Sequence, residues 1–231
     1  MRACLVFLLL AATGASAAVG PGTPSLPADA SPAVHHLVAW TVATADHGIL
    51  PFAVVDKVAA RVFVFDKNGE LRGTAPVLLG LAKGDDSVAG IGNQPLSRIL
   101  PSQRTTPAGR FVAALDYDLA GHVVLWVDYD AAISMHAVVT SNKSERRLER
   151  LATPTAADNR ISYGCINVPA KFFVDTVVTT FTTTGGIVYV LPETRPVDSM
   201  PGLSAVAPAS ASGASPTAVV IERRAEKMPG Q

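Results

Sequence analysis

Short runs rich in valine and phenylalanine alternate with turn-forming residues between positions 52 and 130, and this pattern constrains the fold more than any other feature of the chain. The run Val62–Phe65 is followed by residues 66–69, Asp-Lys-Asn-Gly, whose Asn-Gly pair suits a tight hairpin turn with positive φ. The other runs expected to form strands are Phe52–Asp56, Leu71–Leu79, Phe111–Leu115, Val123–Tyr129 and Ile187–Leu191. The alternation predicts a mainly β domain (a sandwich or a barrel, with a few helices).

Two segments have the pattern of a helix. Ser31 and Pro32 suit an N-cap and a first-turn proline, which predicts a helix from Pro32 to about Ala45 within the unit 32–48, where Gly48 would end it. A second helix is expected over 169–184, where apolar side chains recur at helical spacing: Phe172, Phe173, Val177 and Phe181.

The charge balance limits the partners of the chain. Lys plus Arg number 19 and so do Asp plus Glu, giving a formal net charge of +0, which argues against nucleic acid because phosphate binding needs a basic face. Hydrophobic residues make up 48% of the 231 residues and charged ones 16%, so the chain can bury a core. The two cysteines, Cys4 and Cys165, are too few for a disulfide scaffold or a cysteine-based zinc site.

The first 17 residues have the pattern of a secretory signal peptide. Arg2 precedes an apolar stretch too short to span a bilayer, and Ala-Ser-Ala at 15–17 suits cleavage. We therefore expect a secreted, periplasmic mature chain with no transmembrane segment, in which Cys165 is the single thiol. Residues 18–31 are expected to be a flexible lead, and the Ala-, Ser- and Pro-rich tail 196–231 to be disordered.

The remaining thiol lies in the segment 161–169, Ile-Ser-Tyr-Gly-Cys-Ile-Asn-Val-Pro. Gly164 permits a tight backbone approach, and N–H groups beside Cys165 could face a developing oxyanion. A thiol needs a base or a positive charge to react at neutral pH, because free cysteine has a pKa of about 8.5. Without one, Cys165 would be an inert buried side chain or an intermolecular link. Five histidines are candidate bases: His35, His36, His47, His122 and His136.

Residues 162–167, Ser-Tyr-Gly-Cys-Ile-Asn, resemble the Ser-x-Gly-Cys signature of the L,D-transpeptidases, the YkuD-type catalytic domain. Residues 105–111 resemble that family's Thr-Pro-x-Gly-x-(Phe/Tyr) segment. Val54–Phe65 is similar to its opening strands, and Gly186–Leu191 to its closing strand. The resemblance keeps the order of the motifs and places the domain at 50–195.

The resemblance implies a peptidoglycan enzyme with a mainly β fold that needs neither cofactor nor metal. Such an enzyme attacks the peptide bond after the third residue of a stem tetrapeptide, releases D-alanine and passes the acyl group from a cysteine thioester to an amine. It also implies inhibition by carbapenems. Water as the acceptor would make the chain an L,D-carboxypeptidase, and a non-catalytic peptidoglycan-binding module is the remaining alternative.

Carried over residue by residue, the resemblance makes Cys165 the nucleophile, His136 the general base and Gly164 part of the oxyanion region. Four further residues are expected to bind substrate or to support the loop: Ser162, Tyr163, Asn167 and Arg160. His122 is the competing base.

Two departures from the family pattern stand out. Tyr163 replaces the histidine that often precedes the glycine of the motif. The separation of His136 from Cys165 is also longer than usual, so we interpret the charged segment 141–160 as an insertion that forms a lid. Its arginines could then attract the carboxylates of a stem peptide.

Overall fold

The computed structural model describes residues 24–200, so the expected signal peptide, the start of the lead and the chain from residue 201 onward lie outside the described residues. The helices are α1 (Pro32–Thr44) and α2 (Arg147–Ala152). A third, C-terminal helix covers residues 170–181, with α-helical turns at Ala170–Phe172 and Thr179–Phe181 and a π-helical segment at Phe173–Val178 between them. Within residues 24–200, no helix has the length and apolar character to cross a membrane.

Ten strands carry the architecture. They are β1 (Phe52–Asp56), β2 (Arg61–Phe65), β3 (Leu71–Pro76), β4 (Leu79–Gly80), β5 (Gly109–Tyr117), β6 (Val123–Asp128), β7 (Ile133–Ala137), β8 (Arg160–Ser162), β9 (Ile166–Val168) and β10 (Gly186–Val190). Eight of them form one sheet in the order β3-β2-β1-β10-β5-β6-β7-β9, while β4 and β8 form a short parallel pair.

The large sheet nearly closes into a barrel. β1 pairs with β10 and β7 with β9 in parallel, and the other neighbours are antiparallel. Beyond β3, the N–H groups of Leu78 and Asn167 each donate to the other's carbonyl oxygen, at 2.8 and 2.9 Å, which joins the two edges of the sheet. The predicted mainly β fold with a few helices is therefore confirmed.

Two apolar layers lie on opposite faces of β1, β2 and β10. The inner core contains Ala53, Val55, Val62, Val64, Val188 and Val190, with Phe173, Val177 and Phe181 of the C-terminal helix. The outer core contains Phe52, Val54, Phe63, Phe65, Ile187 and Tyr189, covered by Val34, Leu37 and Val38 of α1. Because β1 and β10 are buried on both faces, their sequences are unbroken apolar runs.

The N-terminal helix forms as its sequence predicts and packs on the large sheet. The Ser31 side chain accepts a hydrogen bond from the Val34 N–H at 3.3 Å, and Pro32 opens the first turn. Ser31 also donates to Asp56 Oδ2 at 2.6 Å, which ties the cap to the end of β1. The helix ends at Thr44, before a left-handed residue at Ala45.

Both terminal segments contain packed residues where the structure describes them. In the lead, Leu26 and Ala30 pack against the outer core, and Asp29 pairs with Arg61. In the tail, Met200 is 1% exposed in the same core. These few apolar contacts hold the described parts of both segments against the sheet. The rest of the lead and of the tail lies outside the described residues.

Several boundaries shift. The strand predicted at Phe111–Leu115 extends over Gly109–Tyr117, and the helix predicted at 169–184 is shorter. β8 and β9 are strands of three residues each, too short for a sequence pattern to reveal. They nevertheless bracket the cysteine, so these small elements position the candidate site.

Candidate active site

The cysteine lies in a tight turn between β8 and β9, and Ser162 holds this turn together. The Ser162 Oγ accepts a hydrogen bond from the Gly164 N–H at 3.0 Å and donates one to the Cys165 carbonyl at 2.7 Å. Ser162 is buried, so its hydroxyl supports the loop and does not face the solvent. The Gly164 N–H is therefore engaged within the turn.

At Gly164, the turn that carries Cys165 packs closely against Thr105 and Thr106 of the loop before β5. Thr106 Oγ1 donates to the Gly164 carbonyl at 2.8 Å. A Cβ on Gly164 would lie 2.7 Å from the Thr105 carbonyl oxygen and 2.6 Å from Ile133 Cδ1, and the residue has φ +132°. The close approach and the backbone conformation both require glycine here.

Parallel pairing of β7 with β9 brings His136 to the cysteine turn. The register places His136 opposite Asn167, two residues after Cys165. His136 Nδ1 lies 2.8 Å from the Ala137 carbonyl oxygen, which can only accept, so Nδ1 carries a proton. In the neutral ring, Nε2 is then the atom with a lone pair, and it is the one able to take a thiol proton.

The cysteine and the histidine shift each other's pKa in opposite directions. Burial by itself raises the pKa of the Cys165 thiol, but the hydrogen bond and charge of His136, aided by Ser134, outweigh it and hold this pKa below its usual value. Burial by itself lowers the pKa of His136, but Cys165 and the Ala137 carbonyl raise it and the net shift is upward. The pair therefore favours a thiolate beside an imidazolium.

Ser134 is a contact of the thiol that the sequence analysis missed. Its Oγ donates to Cys165 Sγ at 3.8 Å, and its pairing lowers the thiol pKa. Ser134 precedes His136 by two positions on β7, so both side chains point to the same face of the strand. That i, i+2 spacing was the signal available in the sequence.

Cys165 lies at the wall of a cleft with a volume of about 440 Å³. Its lining consists of Ser87, Ile91, Gly92, Asn93, Gln94, Leu96, Ile99, Thr105, Leu119, Trp126, Ala131, Ala132, Ile133, Tyr163 and Cys165. Among the described residues, the side chains of this lining are apolar or neutral. Tyr163, which replaces the family's usual histidine, stacks under the Arg104 guanidinium with 3.8 Å between Cζ and the ring centroid.

Asn167 connects the histidine to the charged segment 141–160. Its Oδ1 accepts from Arg147 Nη1 at 2.6 Å, and its Nδ2 lies 3.2 Å from His136 Nε2 and 3.4 Å from the Cys165 carbonyl oxygen. Asn167 is 1% exposed. These contacts place Asn167 behind the reactive pair as a brace, and Arg147 is a partner that sequence reasoning did not assign to it.

The arginines of the charged segment 141–160 do not cover the cleft, contrary to expectation. Arg146 pairs with Glu149, and Arg150 donates to the carbonyls of Glu145 and Asp158. No residue of 141–160 lines the cleft that contains Cys165. The guanidinium groups instead bond mainly to other residues of this segment, and they therefore stabilise the segment itself.

Arg160 belongs to a second buried cluster, which we call the ionic cluster: Lys57, Asp85, Arg160 and Glu193. Lys57 Nζ donates to Asp85 Oδ1 at 2.8 Å and lies 3.6 Å from Glu193 Oε1. Arg160 donates to Glu193 at 3.1 Å and to the Lys57 carbonyl at 2.9 Å. Arg160 thus supports the loops around the site. Lys57, which directly follows β1, is fully buried.

The other histidines lie away from the thiol. His122, the competing base, is 77% exposed and lies 3.1 Å from Asp118 Oδ2 in the β5–β6 turn. His47 is buried and its Nδ1 lies 2.8 Å from the Leu50 carbonyl oxygen, while His35 and His36 are exposed on α1. Within residues 24–200, no group of three or more His, Cys, Asp or Glu side chains could hold a metal ion.

Comparison with known proteins gives matches among solved structures only. No protein-family model matches the sequence, and no curated protein matches it. An L,D-transpeptidase in complex with imipenem is 18% identical over 61% of this chain and 58% of that chain, with a TM-score of 0.33. An L,D-transpeptidase from Enterococcus faecium is 14% identical over 61% and 49%, with a TM-score of 0.36.

A third solved structure is the helical cell shape determining protein Pgp2 from Campylobacter jejuni. It is 13% identical over 68% of this chain and 55% of that chain, with a TM-score of 0.43. The chain therefore spans about half to three-fifths of the length of these three solved chains.

Proposed function

We propose that the chain is a peptidoglycan L,D-transpeptidase in which Cys165 is the nucleophile and His136 the general base. The observation that carries the proposal is the placement of a thiol of lowered pKa, paired with a histidine of raised pKa, at the wall of a cleft. Perturbed pKa values of paired groups in a cleft are typical of catalytic sites. The motif around Cys165, including Ser162 and Gly164, supports the same assignment.

In the acylation step, His136 Nε2 holds the thiol proton while Cys165 Sγ attacks the carbonyl carbon of the third stem residue. The developing oxyanion faces the Cys165 N–H. The carbon–nitrogen bond to D-alanine then breaks, and the proton passes from His136 to the leaving amine. The products are free D-alanine and a thioester on Cys165.

In the second step, the amine of another stem attacks the thioester carbon. His136 takes a proton from that amine, the carbon–sulfur bond breaks and the proton returns to the thiolate. The result is a new peptide bond and the original thiol. Water in place of the amine gives the carboxypeptidase reaction with the same residues.

The cleft suits a peptide donor whose segment next to the scissile bond contacts apolar walls. Trp126, Ile91 and Ile133 supply apolar surface, and the side-chain amides of Asn93 and Gln94 supply hydrogen bonds for peptide groups. Because the described lining has no charged side chain, the charged ends of a stem peptide would contact residues outside it. A mature chain that acts on peptidoglycan would be secreted, which is the role we propose for the leader at residues 1–17.

The proposal is tested with imipenem, followed by intact mass. A covalent adduct on the wild-type protein and none on Cys165→Ser is the expected result, with circular dichroism showing that the variant is folded. A stem tetrapeptide then tests the substrate, with released D-alanine measured in the presence and absence of an amine acceptor. A cross-linked product supports the transpeptidase, a tripeptide alone supports the carboxypeptidase, and wild-type protein without any adduct or release contradicts an enzyme.

A further inference from the structure

The Asn167 side chain has only one orientation that satisfies its neighbours. A guanidinium can only donate hydrogen bonds, so the atom of Asn167 that faces Arg147 must be the amide oxygen. The amide nitrogen must then face His136 Nε2, at 3.2 Å, and the Cys165 carbonyl oxygen, at 3.4 Å. The assignment follows from the chemistry of the partners, and the choice between oxygen and nitrogen is settled by Arg147.

We propose that Arg147, in helix α2, is a positioning residue that fixes the Asn167 amide and thereby keeps its N–H, and not its oxygen, against His136 Nε2. The proposal rests on the proposed function in that it takes His136 as the base. It adds a role for the insertion, which reaches the reactive pair from behind through one guanidinium and one amide.

The geometry around His136 leaves few groups to compete with this effect. Among the described residues, the titratable and charged groups that act on the ring are Cys165 of the cysteine turn and Arg147 of α2. The thiolate raises the pKa of His136, and the positive charge of Arg147 lowers it. The Arg147 side chain is 13% exposed and also pairs with Glu145, so it is held in place at the site.

The arrangement has a consequence for the reaction. When His136 holds the thiol proton, its Nε2–H faces the Cys165 thiolate, and the neighbouring Asn167 N–H is a second donor that gives the imidazolium no acceptor. Once the sulfur has attacked the substrate, this imidazolium is a stronger acid than one beside an amide oxygen. It therefore gives its proton more readily to the leaving amine, and the ring returns to the neutral form that can accept the next proton.

The test measures the pKa of His136 by NMR titration of its ring signals in a Cys165→Ser background, where no thiolate contributes and no turnover is needed. Arg147→Met should raise this pKa, because Asn167 becomes free to turn its oxygen toward Nε2 and a nearby positive charge is lost. Arg146→Met is the matched control. It removes one positive charge at the start of α2 but its guanidinium contacts Glu149, so it should leave the pKa of His136 unchanged.

A second variant shows whether the effect passes through the amide. Asn167→Ala removes the amide that Arg147 holds, so Arg147→Met should raise the pKa of His136 less in an Asn167→Ala background than with Asn167 in place. Equal rises in Arg147→Met and Arg146→Met, or the same rise from Arg147→Met with and without Asn167, overturn the proposal. In protein that retains Cys165, the alkaline limb of imipenem acylation should move to higher pH in Arg147→Met and stay in place in Arg146→Met.

The two proposals fail separately. An unchanged pKa of His136 in these variants removes the role of Arg147 and leaves Cys165 free to be an acylated nucleophile. Absence of an imipenem adduct on the wild-type protein removes the enzyme and leaves the NMR result standing as a property of the folded chain.

Discussion

The molecule has two buried polar clusters at the turn that carries Cys165. They differ in whether their side chains are fully enclosed or reach a cleft. The ionic cluster, which includes Arg160 of β8, pairs two cations with two anions. The other, which we call the thiol cluster, consists of Cys165, His136, Asn167 and Arg147. In the ionic cluster, every buried nitrogen or oxygen of a side chain has a partner among the described residues. In the thiol cluster, a thiol is open to a cleft.

The comparison teaches that burial and charge alone do not indicate catalysis. Lys57 has a lowered pKa because burial outweighs the attraction of Asp85, yet its side chain is fully buried and does not line the cleft that contains Cys165. Its ammonium also donates to the Thr106 carbonyl at 2.9 Å, and Thr106 in turn bonds to Gly164. The ionic cluster therefore stabilises the frame that the thiol cluster uses.

Replacing the proposed base, His136, should give the largest effect and should distinguish the thiol cluster from the ionic cluster. We expect His136→Ala to lower the rate of imipenem acylation by about 10²–10⁴, the usual scale for a lost general base, while the free energy of unfolding changes little. Stopped-flow acylation and urea denaturation measure the two quantities. His122→Ala, in an exposed turn, is the control and should acylate at the wild-type rate. The reverse pattern would transfer the role of base to His122.

Breaking the ionic cluster should have the opposite signature. Lys57→Met leaves Asp85 without its buried cation and Glu193 with Arg160 alone, so we expect the free energy of unfolding to fall by about 3–5 kcal/mol. Acylation by the folded fraction should fall far less than in His136→Ala. Urea denaturation checks the first value, with the exposed Lys67→Met as a control. Equal stability of the two lysine variants would show that the cluster contributes nothing net.

The acid limb of stability should also report the ionic cluster. Burial by itself raises the pKa of Asp85, but hydrogen bonds from Lys57, Glu193 and Thr194 outweigh it and hold the pKa well below its usual range. A carboxyl whose pKa is depressed in the folded state stabilises above its unfolded pKa, about 3.9, and loses that stabilisation as the pH falls further. Unfolding free energies between pH 7 and 3 should therefore fall more in the wild type than in Asp85→Asn.

An exposed carboxyl supplies the control for this pH dependence. Asp130→Asn should retain the wild-type dependence of the unfolding free energy on pH, since the Asp130 side chain is exposed. If Asp85→Asn loses stability with acid as steeply as the wild type does, other carboxyls dominate the acid limb.

The smallest effect is expected at Tyr163, which lines the cleft that contains Cys165. Tyr163→Ala removes the ring under the Arg104 guanidinium and should cost about 0.5–1 kcal/mol of stability, whereas Tyr163→Phe keeps the ring. Thermal unfolding of both variants measures this difference. A large loss of acylation in Tyr163→Phe would instead show that the phenol hydroxyl takes part in the reaction.

Features encoded by neighbouring residues were predictable. The cap Ser31-Pro32, the hairpin turn that ends at Gly69 with φ +81°, and the apolar runs of β1 and β10 all depend on local conformation or simple burial. The thiol cluster was predicted in part, because Cys165 lies in a recognisable motif. Ser134 was missed, although its spacing to His136 was visible.

What the sequence determined by itself was the mainly β class and the place of Cys165 directly after Gly164 in its motif, while the choice of His136 as base came from the family resemblance and stays a prediction. The tertiary structure alone decided that Arg147 reaches Asn167 and that Lys57 is buried against Asp85 and Glu193. The physical reason is that both depend on contacts between residues far apart in the chain. Neither propensity nor periodicity encodes which distant charges will meet, since closure of the sheet sets those distances.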